Sequence, residues 1–217
     1  MSLLADWWEW LPSLLRGLLL SLEIAAVSIV TGVVVGMGLA LAVSAQNRLL
    51  RAVAVVVVEV GRGTPALVVL QLVYFGLPSA GLTLASFAAA CLALGLTTAA
   101  YTSEILRAGL QAVPQGEVEA SQALGMGRRD TLRYVVAPQG VRIAVPALMG
   151  FSILIFQGTS LAFTISVTEL LSRAYSIGSA TFDYLSVIAL AGLLYLAVTL
   201  PAGWFVRRAE RRMARHL

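Results

Sequence analysis

Lysine is absent from this sequence: all fifteen of its basic residues are Arg. A phosphate-binding loop of the G-x-x-x-x-G-K-[ST] kind needs that Lys, so ATP binding of this type is excluded for the chain. Charge of either sign is scarce. Only 12% of residues are charged, against 59% hydrophobic, whereas soluble domains carry about 25% charged residues. Cys91 is the lone cysteine, so no intrachain disulfide can form, and its place in an apolar run reads as a small buried hydrophobe. His216 is the lone histidine, in the tail, where it reads as solvated. It leaves no His cluster for a transition metal and no Ser/His/Asp set for hydrolysis within a membrane.

What remains is long apolar runs, and the mean hydropathy is +0.89. Runs such as Val53–Val58 and Leu190–Leu200 do not alternate with polar residues, which excludes a spanning β-barrel and leaves helices. About 20 apolar residues cross the hydrocarbon. On that measure the pattern predicts an all-α, polytopic membrane protein forming a single transmembrane domain over residues 1–217. Five spans are expected, at Leu14–Val43, Ala52–Leu77, Leu82–Leu106, Val141–Phe156 and Leu185–Val206. The N-terminal segment does not read as a cleavable signal, because Asp6 and Glu9 stand where basic residues belong. Trp7, Trp8 and Trp10 predict an interfacial belt. Leu161–Ala174 reads as an amphipathic segment outside the bilayer or lining a cavity.

Eleven of the fifteen Arg fall in the 44–51 loop, the 107–139 loop and the 207–217 tail. The positive-inside rule then puts the N-terminus outside and the C-terminus in the cytoplasm, a parity that five spans satisfy. The net charge of +4 is read as this topological bias, not as nucleic-acid binding.

The 107–139 loop is the one long polar stretch. Pro114 and Gly116 stop a helix, Glu117–Leu124 starts a short one, Gly125 and Gly127 allow a turn, and Arg128–Val136 begins another helix that should end at Pro138. A helix–turn–helix at a membrane surface suits a docking partner. Within it, Glu119-Ala120-Ser121, then Gly125 and Pro138, resemble the EAA loop of permease subunits of bacterial ABC importers. An ordered series extends the resemblance to the polar amino acid subfamily: Arg62-Gly63-Thr64-Pro65, Tyr74-Phe75-Gly76-Leu77-Pro78, Arg107-Ala108-Gly109-Leu110, Val113-Pro114, Ala123-Leu124-Gly125-Met126, Pro138-Gln139 and Thr159-Ser160-Leu161.

The resemblance implies a five-helix type I importer core in a bacterial cytoplasmic (inner) membrane, paired with a second permease copy or a paralogue. Two ABC ATPase subunits would carry ATP and Mg, with no cofactor on this chain, and an extracytoplasmic binding protein would deliver the solute. Coupling to the ATPase would run through the 113–138 loop, at Glu119, Ala120, Ser121 and Gly125. The sequence departs from the family at Ser121 (usually Ala), Glu117 (often Gln), Gly140 (often Ala), Gly150 (often Asn) and Gln157-Gly158 (often Lys-Asp or Lys-Asn).

Glu59, Arg62, Thr64, Thr159 and Ser160 are candidates for the substrate path. Gly61, Gly63 and Pro65 predict a helix break beside Arg62, and charges at mid-depth must face a polar cavity or one another. Arg62 then either holds a substrate carboxylate or forms a plain i,i+3 pair with Glu59 at the cytoplasmic interface. Thr159 and Ser160 line the gate or cap the Leu161–Ala174 helix, capping being the stronger reading. Glu23 and the Glu104/Arg107 pair read as structural. The competing class is an ATP-independent secondary transporter or channel. Glu59 would be its only mid-depth acid, and the loop would go unexplained.

Overall fold

In a computed structural model of the chain, residues 3–213 are described; His216 and Arg215 lie outside them. All regular structure among the described residues is helical. The main helices are α1 (Leu3–Val43), α2 (Arg48–Gly63), α3 (Ala66–Gln71), α4 (Ser86–Gln111), α5 (Gln115–Ala123), α6 (Arg128–Asp130), α7 (Ala137–Gly158), α8 (Leu170–Thr181) and α9 (Tyr184–Met213).

Four stretches are long and apolar enough to cross a membrane alone: Asp6–Val43, Ser86–Gln111, Arg128–Ile165 and Tyr184–Met213. The expected second span is a bent pair instead. Arg48–Gly63 and Ala66–Ala80 meet at 105°, because Pro65 has no N–H to continue the ladder and Thr64 leaves helical geometry at φ −90°, ψ 128°. The break predicted beside Arg62 is therefore present, and it is sharp.

The fold is organised around α4. Its apolar window is 67% buried, against 28% for each of the other three. Alanine, threonine and glycine dominate its buried face, and small residues let helices approach closely where lipid offers no hydrophobic drive. Gly32 and Gly36 of α1 sit directly on it. A Cβ at Gly36 would stand 2.6 Å from Thr102 Cβ and 2.7 Å from the Ala99 carbonyl oxygen, so this crossing depends on glycine.

Two expectations need correction. Pro138 does not end a helix: the chain runs from α6 through a π-helical stretch, Thr131–Val136, directly into α7. The wider turn has Ala137 N–H reaching the Leu132 carbonyl, which lets the helix absorb a proline that lacks a donor. Leu161–Ala174 is not one amphipathic helix. A 3-10 stretch, Thr159–Ile165, ends α7, and Ser166 at φ 63° turns the chain toward α8. The three Trp of the expected belt differ in burial. Trp8 is 77% exposed while Trp10 is in the core with Leu14 and Leu170, and Trp7 Nε1 donates to Ser186 Oγ at 2.9 Å.

Candidate functional site: an exposed loop and two polar clusters

The loop joining α4 to α7 builds a rigid, outward-facing element. Pro114 precedes α5 and supplies no side-chain cap. At the other end the turn closes on itself: Gly125 N–H bonds the Gln122 carbonyl at 2.9 Å and Met126 N–H bonds the Ser121 carbonyl at 3.1 Å. These are the paired bonds of a Schellman cap, and Gly125 takes the left-handed conformation it demands, at φ 80°. Ser121 points inward. It is buried, its Oγ donates to the Val118 carbonyl at 2.7 Å, and it lies 3.0 Å from Thr131 Oγ1. Ser121, expected among the coupling residues, thus fastens α5 to the π-helical stretch from its buried side. Glu119, Ala120 and Gly125 are exposed, and Leu124 is 82% exposed beside them. Glu119 Oε1 accepts from Gln115 Nε2 at 2.8 Å along one face of α5. A small apolar knob with an adjacent carboxylate is the kind of surface that a groove with basic groups would complement.

The second cluster ties α2 to α4. Arg62 Nη1 lies 3.5 Å from Glu59 Oε1 and 3.4 Å from Glu104 Oε2. Arg107 also pairs with Glu104, and its Nε donates to Glu104 Oε2 at 3.0 Å. Tyr101 Oη donates to the Arg62 carbonyl at 3.4 Å and stacks on Phe151 of α7, with centroids 4.7 Å apart. The i,i+3 pairs foreseen for Glu59–Arg62 and Glu104–Arg107 exist, and Arg62 joins them into one chain of charges across two helices. A substrate carboxylate could bind Arg62 only in competition with two carboxylates already there. Thr64 stands at the helix break next to this cluster, its N–H bonded to the Val60 carbonyl at 3.0 Å.

The third cluster lies where α7 ends. Neither Thr159 nor Ser160 caps the following helix. Thr159 Oγ1 donates to the Phe156 carbonyl at 2.7 Å and is fully buried, which removes it from any open path. Ser160 Oγ donates to the Gln157 carbonyl at 2.8 Å and stays partly exposed. With exposed Gln157 and Thr164 it forms a polar row. Gln71 of α3 meets that row, Nε2 to Thr164 Oγ1 at 2.8 Å, a contact between α3 and the 3-10 stretch after α7 that the sequence did not reveal. Amide and hydroxyl groups set this way can trade hydrogen bonds with a small polar solute.

The cap of α8 is Glu169. Its carboxylate accepts Leu171 N–H at 2.9 Å, Ser172 N–H at 2.8 Å, Tyr195 Oη–H at 3.1 Å and Ser21 Oγ–H at 3.4 Å. The side chain is wholly buried, and burial pushes its carboxyl above the usual carboxylate range while the two backbone donors pull it back. Glu169 therefore pins α1, α8 and α9 together. The sequence signal was present, since an acidic residue directly preceding a helix is an N-cap pattern, but the expected helix began nine residues too early to show it.

A bundle of long apolar helices carrying an exposed helix–turn–helix has the build of a polytopic membrane protein. The chain belongs to the family of binding-protein-dependent transport system inner membrane components, whose pattern matches residues 32–215. It is 35% identical over 209 residues to the probable amino-acid ABC transporter permease protein YckA of Bacillus subtilis (strain 168), covering 96% of this chain and 92% of that protein. It is 34% identical to the glutamine transport system permease protein GlnP of Escherichia coli (strain K12), covering 96% and 97%. A solved structure described as the crystal structure of an amino acid ABC transporter with histidines superposes with a TM-score of 0.93 at 32% identity, covering 98% of this chain and 99% of that one. The MetNI methionine transporter, at 21% identity and a TM-score of 0.70, shares the fold.

Proposed function

We propose that this chain is the permease subunit of an ABC importer for a polar amino acid or a related small solute, and that it lies in a bacterial cytoplasmic membrane with its N-terminus outside. The observation that carries the reading is the α5 element: an exposed Leu124 and Glu119 held rigid by the Gly125 cap, in a chain that aligns with amino-acid permeases along nearly its whole length. On this reading two ATPase subunits, carrying ATP and Mg, receive α5. Closure of the ATPase pair then moves α4 and α7 as rigid bodies, since the loop is continuous with both helices. A second permease copy or paralogue completes the path, and an external binding protein loads it.

The solute would pass the polar row of Gln157, Ser160 and Thr164 and then the Arg62 cluster, where Glu59, Arg62 and Glu104 offer both signs of charge to a zwitterion. An ATP-independent transporter is disfavoured, since it leaves the rigid α5 element without a role. Reconstitution in liposomes with the ATPase, partner permease and binding protein tests this. ATP-dependent uptake of one amino acid from a panel, requiring every component, is the expected result. Flux through this chain alone, without ATP, would overturn it.

A further inference from the structure

The three glycines of α7 meet their surroundings differently. At Gly140 an added Cβ would stand 2.7 Å from Leu110 Cα, so the crossing of α7 on α4 requires glycine there. At Gly158 it would meet Leu94 Cδ2 at an ordinary 3.8 Å, and at Gly150 it would meet nothing within 4 Å. Gly150 has no positive φ either. Neither backbone nor packing asks for glycine at position 150, although glycine weakens a helix relative to alanine. What it supplies there is room.

That room opens beside the charged cluster. At about 100° per residue, Ala147, Gly150, Leu154 and Gln157 share one flank of α7. Met149, Ser152, Ile153 and Phe156, which line a groove with α1 and α9, lie about 130° round the helix. The Gly150 flank is left uncovered: Ala147, Leu154 and Gln157 are exposed and Gly150 is half-buried. Phe151, the next residue, stacks on Tyr101, whose Oη donates to the Arg62 carbonyl. Tyr101 thus spans from α2 to α7, with Arg62 and Glu104 at one end and Phe151 and Gly150 at the other. The two ends differ in chemistry. Both signs of charge stand at the first, whereas α7 carries no charged residue between Arg142 and Gln157. An α-amino acid has the same division, into a zwitterionic head and a side chain.

We propose that the space beside Gly150 receives the side chain of the solute, and that Gly150 makes this permease select an α-amino acid with a large uncharged side chain, of the size of glutamine, leucine or phenylalanine. The inference rests on the permease reading above and narrows its substrate class. With the head at Arg62 and Glu104, the side chain lies along Phe151 and Leu154. A charged side chain loses hydration on this flank and finds no counter-charge. A residue larger than glycine at position 150 takes up the space itself.

The test measures binding of radiolabelled alanine, glutamine, leucine, phenylalanine, arginine and glutamate to the permease–ATPase complex in nanodiscs. The binding protein is left out, so that selection by the permease alone is read. At least one of glutamine, leucine and phenylalanine should bind about tenfold more tightly than alanine, arginine or glutamate, the scale of a filled pocket. Gly150→Leu should erase that preference. Gly150→Ala should reduce it partway, with a thermal midpoint no lower than wild type, since its Cβ meets nothing within 4 Å. A preference for arginine or glutamate, or one that neither variant changes, would overturn the proposal. So would the absence of binding in a complex that still takes up solute from its binding protein. Equal weakening for every amino acid, with loss of permease pairing, would overturn it in favour of a permease–permease contact. ATP-dependent uptake of no amino acid by the complete importer would instead remove the permease reading itself.

Discussion

Glu119 and Glu169 are both carboxylates on short helices, and the molecule treats them in opposite ways. Glu119 is exposed on α5 and bonded only to Gln115, four residues away. Glu169 is wholly buried and joined to Ser21, 148 residues earlier, and to Tyr195, 26 residues later. The first sits on an element made rigid by its own local bonds and left open to a partner. The second is a node through which three helices hold one another. An acid available for docking must be positioned without being used up, whereas a structural acid is fully committed within its own chain.

The sharpest way to separate the two is to damage each in turn. Gly125→Asp forces a side chain into a left-handed position and adds charge to the docking face. It should abolish ATP-driven uptake while membrane insertion and thermal stability stay near wild type; normal uptake by this variant would remove α5 from the coupling path. Glu169→Ala strips two backbone N–H groups and two hydroxyls of their buried acceptor, at about 1–3 kcal/mol for each group left unsatisfied. Its thermal midpoint should fall by many degrees, with the affinity of any surviving protein for the ATPase unchanged. A wild-type midpoint would show that the Glu169 node does not stabilise the fold. Ser121→Ala should cost about 1 kcal/mol and loosen α5 from the π-helical stretch, visible as faster amide exchange at residues 118–124. Unaltered exchange there would mean the Thr131 contact is dispensable.

A smaller effect separates the nodes by pH. With its carboxyl held above the usual range, Glu169 binds its proton more tightly in the folded chain than in the unfolded one. The stability it contributes is then full below about pH 4.3, the unfolded value, and declines as pH rises through the folded value. Glu169→Gln should flatten that slope, while Glu119→Gln should leave it in place; identical slopes in all three proteins would contradict the assignment.

The same contrast explains what the sequence disclosed. Elements written in consecutive residues were legible. The apolar runs mark the spans, the Gly/Pro cluster around Arg62 marks the bend, and the residues around Gly125 mark the turn of the 107–139 loop. Contacts made across the fold were not: Gln71 with Thr164, Arg62 with Glu104 and Glu169 with Ser21 join residues whose proximity follows from the 105° bend and from how α1 packs on α4. Helix ends erred for local reasons that propensity does not encode. Pro138 is carried by a π-helical turn, and Thr159 and Ser160 satisfy carbonyls of α7 where a cap for the next helix was expected. Ser121 shows a subtler limit, since one member of a motif can face the interior while its neighbours are exposed.

The central claim is that α5, with its Gly125 cap, receives the ATPase. Amide hydrogen exchange of the permease, measured with and without the ATPase bound, tests it most directly. The account predicts new protection concentrated at residues 115–126, extending along α4 and α7 only when ATP closes the ATPase pair. Protection that falls elsewhere, with 115–126 exchanging as fast as in the free protein, would contradict it.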